Sequence, residues 1–250
     1  MISVVVPALN EEESIVSCLL SLLHQRYDDY ELIVVDGGSS DRTVELAENY
    51  ADRVIAYKGP VGAARNVGAK SSRGGILAFI DADTVAYASW LCAVSESFDD
   101  KSVVGATGPT LPMKSSTVDS FYYRTSTVNL QKILLWLGIP HIAGFNCAYR
   151  KDQFFKVGGF DETNVLSEDV RLSLKIKRFG RIHFNEKMVT ATSTRRIEEY
   201  GYPYIVSLYV FNAFLTLLTA RSLRNYPPIR SPRPAIGCQP VMRGREADGK

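Results

Sequence analysis

The sequence predicts an α/β protein, a mostly parallel sheet flanked by helices. Three observations carry that prediction. Short apolar runs alternate with helical patterns through the first 84 residues. The runs at Val4–Val6, Leu32–Val35 and Ile76–Ile80 are apolar without alternation, as in strands buried on both faces. Each ends abruptly, at Pro7, Asp36 and Asp81, where such a sheet opens its ligand crevice.

The elements follow in order. Val4–Val6 is a strand that Pro7 stops by removing a backbone donor. Asn10 is placed to cap a helix whose first turn holds Glu11, Glu12 and Glu13, with Ile15, Leu19, Leu22 and Leu23 as its apolar stripe. Glu31–Val35 is the second strand. Gly37–Asp41 turns into a helix carrying Val44, Leu46 and Ala47, and Arg53–Tyr57 is a short third strand. Gly62-Ala63-Ala64-Arg65-Asn66-Val67-Gly68-Ala69 reads as a helix of small residues, able to lie close to the sheet or to a ligand. The strand from Gly75 then delivers Asp81-Ala82-Asp83. Further on, Val103–Pro109 reads as a strand, residues 120–137 as a long helix with packing aromatics, and Ile142–Arg150 as a strand entering a helix at Lys151.

Composition narrows the function. At 250 residues and 46% hydrophobic content, one α/β domain with one sizeable core is the simplest count. A net charge of +2 without a long basic run argues against nucleic acid as a partner. Cys18, Cys92, Cys147 and Cys238 lie far apart, which suggests neither zinc nor a disulfide framework and fits a reducing cytoplasm. The first residues lack the basic flank of a signal peptide and read as a strand.

Right-handed crossovers bring the strand ends along one crevice. Pro7, Ala8, Asp36, Arg65, Asp81 and Asp83 are therefore expected to face a common site. Asp81 and Asp83 repel each other unless a cation joins them, and Mg²⁺ or Mn²⁺ with oxygen ligands is the usual one. An isolated Asp-x-Asp also serves as a plain polar turn. Three acids after successive strands, with an Arg on a Gly-rich helix start, describe a pocket for a base or ribose, a metal and a diphosphate.

Val5-Val6-Pro7-Ala8-Leu9-Asn10-Glu11-Glu12, Val34-Val35-Asp36-Gly37-Gly38-Ser39-Ser40-Asp41, Gly62–Gly68 and Asp81-Ala82-Asp83 resemble, in order and spacing, the signatures of the family 2 inverting glycosyltransferases. The resemblance runs from Ile2 to about Thr192. It implies a GT-A fold, Rossmann-like, and a nucleotide-diphosphate sugar donor of UDP or GDP type. It also implies Asp36 at the base with Pro7 and Ala8 lining that pocket, Glu11 near ribose and base, Arg65 near base and diphosphate, Asp81 at the ribose and Asp83 on the metal. Gly144 and Asn146 are similar to the family's region beside acceptor and donor sugar. Ser167-Glu168-Asp169 is an ordinary capped helix start in isolation. With the resemblance it is similar to the motif whose Asp is the general base, so Asp169 is the expected base, with Glu168 raising its pKa or orienting the acceptor.

The GT-A domain is thus expected over 1–200. A hydrophobic helix is expected over 201–226, and a poorly ordered basic tail over 227–250. Tyr204–Ala220 carries seventeen residues without a charge and is followed by arginines, which suits a short transmembrane helix, an interfacial helix or a buried helix packed on the sheet; membrane association at the cytoplasmic face is the expectation. A polyprenyl phosphate, as for the dolichyl-phosphate sugar synthases, or another lipid-linked or glycan acceptor follows as the expected partner. Two alternatives stand beside this reading. A sugar-phosphate nucleotidyltransferase would carry a Gly-rich, Arg-containing loop after the first strand, where Pro7-Ala8-Leu9-Asn10 stands instead. A non-catalytic nucleotide-sugar-binding domain would have no need of both Asp83 and Asp169.

Overall fold

A computed structural model describes residues 1–113, 128–136, 142, 144–162, 168–201, 204 and 207. The expected helix at 120–137 is described over Asn129–Trp136. The expectations for Ser167 as a cap, for the apolar stretch apart from 204 and 207, and for the basic tail lie outside the described residues. No helix among the described residues is long and apolar enough to cross a membrane.

The strands β1 (Ile2–Ala8), β2 (Tyr30–Asp36), β3 (Arg53–Ala56) and β4 (Ile76–Ile80) are parallel to one another in the order β3-β2-β1-β4. Beyond β4 the seven-stranded sheet continues through β8 (Asn146–Arg150), β6 (Val103–Thr107) and β9 (Arg181–Phe184). Here β8 runs antiparallel to both its neighbours, so the sheet is mostly parallel rather than wholly so. A second sheet of three short strands places β10 (Thr190–Thr192) between β5 (Thr84–Ala86) and β7 (Thr110–Pro112).

The absence of alternation in β1 has the structural consequence the sequence implied: both faces are covered. Val4 and Val6 pack with Ile15, Cys18, Leu19 and Leu22 of α1 (Ile15–Leu23) and with Trp90, Leu91 and Val94 of α4 (Trp90–Ser97). Val5, on the opposite face, packs with Ala64 and Ala69 of α3 (Val61–Ser71), and with Phe154 and Phe160 near α6 (Lys151–Lys156). Leu172 and Ile176 of α7 (Glu168–Ile176) join the same layer. The small residues of α3 serve this close approach: a Cβ on Gly68 would lie 2.3 Å from Val5 Cγ1. The helix α2 (Thr43–Glu48) follows β2 as expected.

One local expectation is corrected. Asn10 does not cap α1. It sits at φ 52°, in the left-handed region, and the chain turns through Glu11–Ser14 before α1 starts at Ile15. The reason is tertiary. Asn10 N–H donates to Ser39 Oγ at 2.9 Å, and Asn10 Oδ1 accepts from the Ser40 N–H at 2.8 Å. Glu11 N–H donates to Thr43 Oγ1 at 2.8 Å and Glu12 N–H to Asp41 Oδ2 at 3.2 Å. The loops after β1 and β2 are thereby stitched into one wall.

At the other end of the sheet, Glu31 is a stability determinant. Burial alone would raise its carboxyl, but hydrogen bonds from Ser3 Oγ, from the backbone and side chain of Arg73, and from Arg53 prevail and hold it at about 2. The folded value lies below the ordinary 4.5, so the contribution is full above that pH and is lost as pH falls towards 2. Glu31→Gln should cost roughly 2–3 kcal/mol at pH 7. Urea melts at pH 7 and near pH 2 check this, since the difference from the parent should nearly vanish in acid.

Candidate active site

Three parallel strands end at one mouth, and the stitched loops form its first wall. Ala8 and Asp36 are neighbours in register across β1 and β2, and Ala8 C=O accepts from the Gly37 N–H at 2.7 Å. Asp36 is buried. Its carboxylate accepts from Gly38 N–H at 2.9 Å, Ser39 N–H at 3.0 Å and Ser39 Oγ at 2.5 Å. As placed, Asp36 fixes the shape of its own Gly-Gly-Ser loop beside Pro7 and Ala8.

β4 delivers the Asp-Ala-Asp turn. Asp81 Oδ1 accepts from Arg65 Nη2 at 2.7 Å, and Arg65 Nη1 donates at 2.7 Å to Glu168 Oε1 at the start of α7. Arg65 is buried on α3, with its guanidinium carbon 5.4 Å from the centre of the Phe160 ring. One guanidinium thus joins the strand-end acids to the Glu168-Asp169 helix start. Burial and the adjacent Asp169 push the Glu168 carboxyl up to about 7, while Arg65 pulls it the other way. Glu168 is turned inward to Arg65. Asp169 is half-buried, and its Oδ2 accepts from the Gly144 N–H at 3.0 Å.

Gly144 earns its place by proximity. A Cβ there would lie 2.8 Å from Arg65 Nη1 and 3.1 Å from Cζ, against a side chain clamped by two carboxylates. Gly144→Ala should displace Arg65 or the 144 backbone, costing about 1–3 kcal/mol in a thermal melt. Donor binding should weaken with it. Asn146 lies deeper than expected. It is fully buried, with its amide NH₂ within hydrogen-bonding distance of the carbonyls of Gly108, Pro109 and Met188, and its Oδ1 accepting from Trp90 Nε1 at 2.9 Å. It ties β8 to the turn before β7 and supports the mouth from below.

The residue that sequence reasoning missed is Arg195. It opens α8 (Arg195–Tyr200), directly after β10, and its Nη2 donates to Glu11 Oε1 at 3.0 Å, Glu11 Oε2 at 2.8 Å and Asp83 Oδ2 at 3.2 Å. The available signal was a pair of arginines after a strand end. Burial, then Asp81 and Glu11, raise the Asp83 carboxyl to about 6, and Arg195 opposes the rise. His183, by contrast, lies in β9 at the far edge of the sheet.

Glu11, Asp81, Asp83 and Glu168 thus surround the guanidinium groups of Arg65 and Arg195, with Asp169 next to Glu168. Among the described residues no group of three or more His, Cys, Asp or Glu is arranged to hold a metal. A magnesium-like ion is commonly held by one or two carboxylates and completed by substrate phosphates, rather than by a cage made wholly of protein. The donors here are hard oxygens with excess negative charge, so the chemistry of the set suits such an ion.

Comparison with known proteins agrees with this architecture. The glycosyltransferase EpsJ of Bacillus subtilis, itself uncharacterized, is 39% identical over 89 residues, covering 33% of this chain and 26% of that protein. The mannosyltransferase PcManGT from Pyrobaculum calidifontis, in complex with GDP-Man and Mn²⁺, superposes with a TM-score of 0.69 at 20% identity, covering 87% of this chain and 64% of that one. TarS 1–349 of S. aureus, in complex with UDP-GlcNAc, gives 0.60 at 21% identity, covering 77% and 58%. The chain spans about a quarter of EpsJ and less than two thirds of each of these two structures. At this identity the two structures share the fold, a mostly parallel central sheet flanked by helices, as expected of GT-A. The sequence pattern of the Glycosyl transferase family 2 matches residues 3–158, more than half of the chain, and the chain belongs to that family.

Proposed function

We propose that the chain transfers a sugar, with inversion, from a nucleoside diphosphate sugar to an acceptor hydroxyl or phosphate. The observation that carries this reading is the pairing of Arg65 with Asp81 on one side and Glu168 on the other, both at 2.7 Å. It joins the strand ends suited to the nucleotide and the helix start that offers Asp169 within one mouth.

Asp36 and the loop it braces, with Pro7 and Ala8, form the base pocket. Asp81 lies towards the ribose, with Arg65 and Glu11 near the nucleotide. Asp83 would hold Mn²⁺ or Mg²⁺, and such an ion would supply neutralisation of the charge on the departing diphosphate. Asp169, held by Gly144, takes the proton as the acceptor oxygen bonds to the anomeric carbon and the bond from that carbon to the diphosphate oxygen breaks. A carboxylate suffices for this, because the proton can leave after bond formation has begun at an oxocarbenium-like centre. Glu168 keeps Arg65 in position.

The two similar structures hold UDP-GlcNAc and GDP-Man, which supports a UDP or GDP donor. The uncharged stretch 204–220 and the arginines after it support a lipid-linked or glycan acceptor met at the cytoplasmic face of a membrane. The test is a transfer assay with UDP- and GDP-sugars, with and without Mn²⁺, on a panel of polyprenyl phosphates and glycans. Proton NMR then assigns the anomeric configuration of the product. Metal-dependent transfer with inversion supports the reading; retention, or transfer indifferent to chelators, overturns it.

A further inference from the structure

Both acids of the Asp-Ala-Asp turn are paired with cations of the chain itself, Asp81 with Arg65 and Asp83 with Arg195. The backbone N–H of Ser193 donates to the Asp83 carbonyl at 3.1 Å, and Thr84 Oγ1 donates to Thr192 Oγ1 at 2.9 Å. Antiparallel pairing of β10 with β5 sets Thr192 opposite Thr84. Arg195 follows three residues on, beside the Asp83 end of that pairing. It meets Glu11 and Asp83, which come from two different strand ends.

The two arginines of the mouth differ in one respect that separates their roles. The Arg65 side chain is 4% exposed, whereas that of Arg195 is 36% exposed. Arg65 is fixed between two carboxylates, and Arg195 has an open path to solvent. A guanidinium has no lone pair to share with a metal. It cannot join a coordination shell on Asp83, and it competes with any cation for the same carboxylate. Once a diphosphate is seated beside Asp83, that guanidinium has a better-matched partner, since its planar fork suits phosphate oxygens.

We propose that Arg195 is an exchangeable counter-ion of the donor site: it holds Glu11 and Asp83 until a divalent cation and a nucleoside diphosphate arrive, yields Asp83 to the cation, and binds the diphosphate. This rests on the reading of Asp83 as the metal-binding acid. Arg195 is then a positioning residue for donor binding, and it keeps the mouth charge-compensated between turnovers.

The exchange makes a prediction of opposite signs that a purely structural arginine does not. In the full chain, Arg195→Gln should bind Mn²⁺ alone roughly threefold to fivefold more tightly, read from the free Mn²⁺ signal in electron paramagnetic resonance. The same variant should bind UDP or GDP roughly tenfold more weakly at saturating Mn²⁺, read by calorimetry. Arg195→Lys keeps the charge but loses the fork, so its Mn²⁺ affinity should stay near the parent's while nucleotide binding weakens. Weakening of both affinities in Arg195→Gln, or no change in either, overturns the exchange. Asp83→Asn separates the two levels of the account. If it abolishes the effect of Mn²⁺ on nucleotide binding while Arg195→Gln matches the parent, the exchange alone fails. If neither the parent nor Asp83→Asn shows any effect of Mn²⁺, the metal reading fails and the exchange with it.

Discussion

Asp169→Asn is expected to lower sugar transfer by roughly 10²–10⁴-fold while leaving affinity for the nucleotide sugar nearly unchanged. The isostere isolates the proton. An amide oxygen at 169 can still accept from the Gly144 N–H, the contact made at 3.0 Å by Asp169 Oδ2, so the helix start and the 144 backbone keep their places. What is lost is the ability to take a proton from the acceptor. Steady-state release of nucleoside diphosphate with acceptor, compared with calorimetric donor affinity, reads the two quantities separately. A variant that retains transfer within tenfold of the parent, at unchanged affinity, would remove Asp169 from the role of base. Asp169→Ala is the weaker test, because it also removes the anchor on Gly144.

Arg65→Gln is expected to destabilise the fold by about 3–5 kcal/mol, because it leaves a buried carboxylate without its counter-ion. Glu168 is the reason. It is buried and already raised to about 7 with Arg65 in place, and it must rise further without it. An acid whose folded pKa lies above its unfolded value costs stability as pH climbs from the unfolded value through the folded one. The penalty of Arg65→Gln should therefore be smaller at pH 5 than at pH 8. Adding Glu168→Gln should recover much of it, since a neutral pair needs no compensation. Denaturant melts of the two single variants and the double variant at both pH values supply the cycle. A penalty independent of pH, or strict additivity, would mean that the bond between Arg65 and Glu168 does not govern this region.

Much of the donor half was legible because its signals are local. Continuous apolar runs at Val4, Leu32 and Ile76 identify strands buried on both faces, and the acid or proline after each marks the crevice end. The small residues of α3 announce a close approach, which Gly68 against Val5 makes concrete. The rest depended on partners far along the chain. The place of Asn10 was misread as a cap because its hydrogen bonds go to Ser39 and Ser40, and that tertiary stitch outweighs the local capping preference. The pair of arginines after β10 did not show whom Arg195 would meet for the same reason, with partners 184 and 112 positions away in sequence. The antiparallel β8 carries no local mark, since an apolar run does not state its direction. Asn146 is held by Trp90 Nε1 and by backbone carbonyls from two distant turns, partners that no local pattern around it announces.

The measurement that bears most directly on the shared mouth is paramagnetic broadening of backbone amide resonances by Mn²⁺ in the presence of UDP or GDP. Bound at Asp83, the ion should broaden Thr84 and Ser193 most, then Gly144 and Asp169 together, and leave Lys101 sharp. Chelation should restore every signal, and Asp83→Asn should prevent the effect. Broadening confined to Thr84 and Ser193, with Gly144 and Asp169 untouched, would separate the metal from the proposed base and contradict a single site.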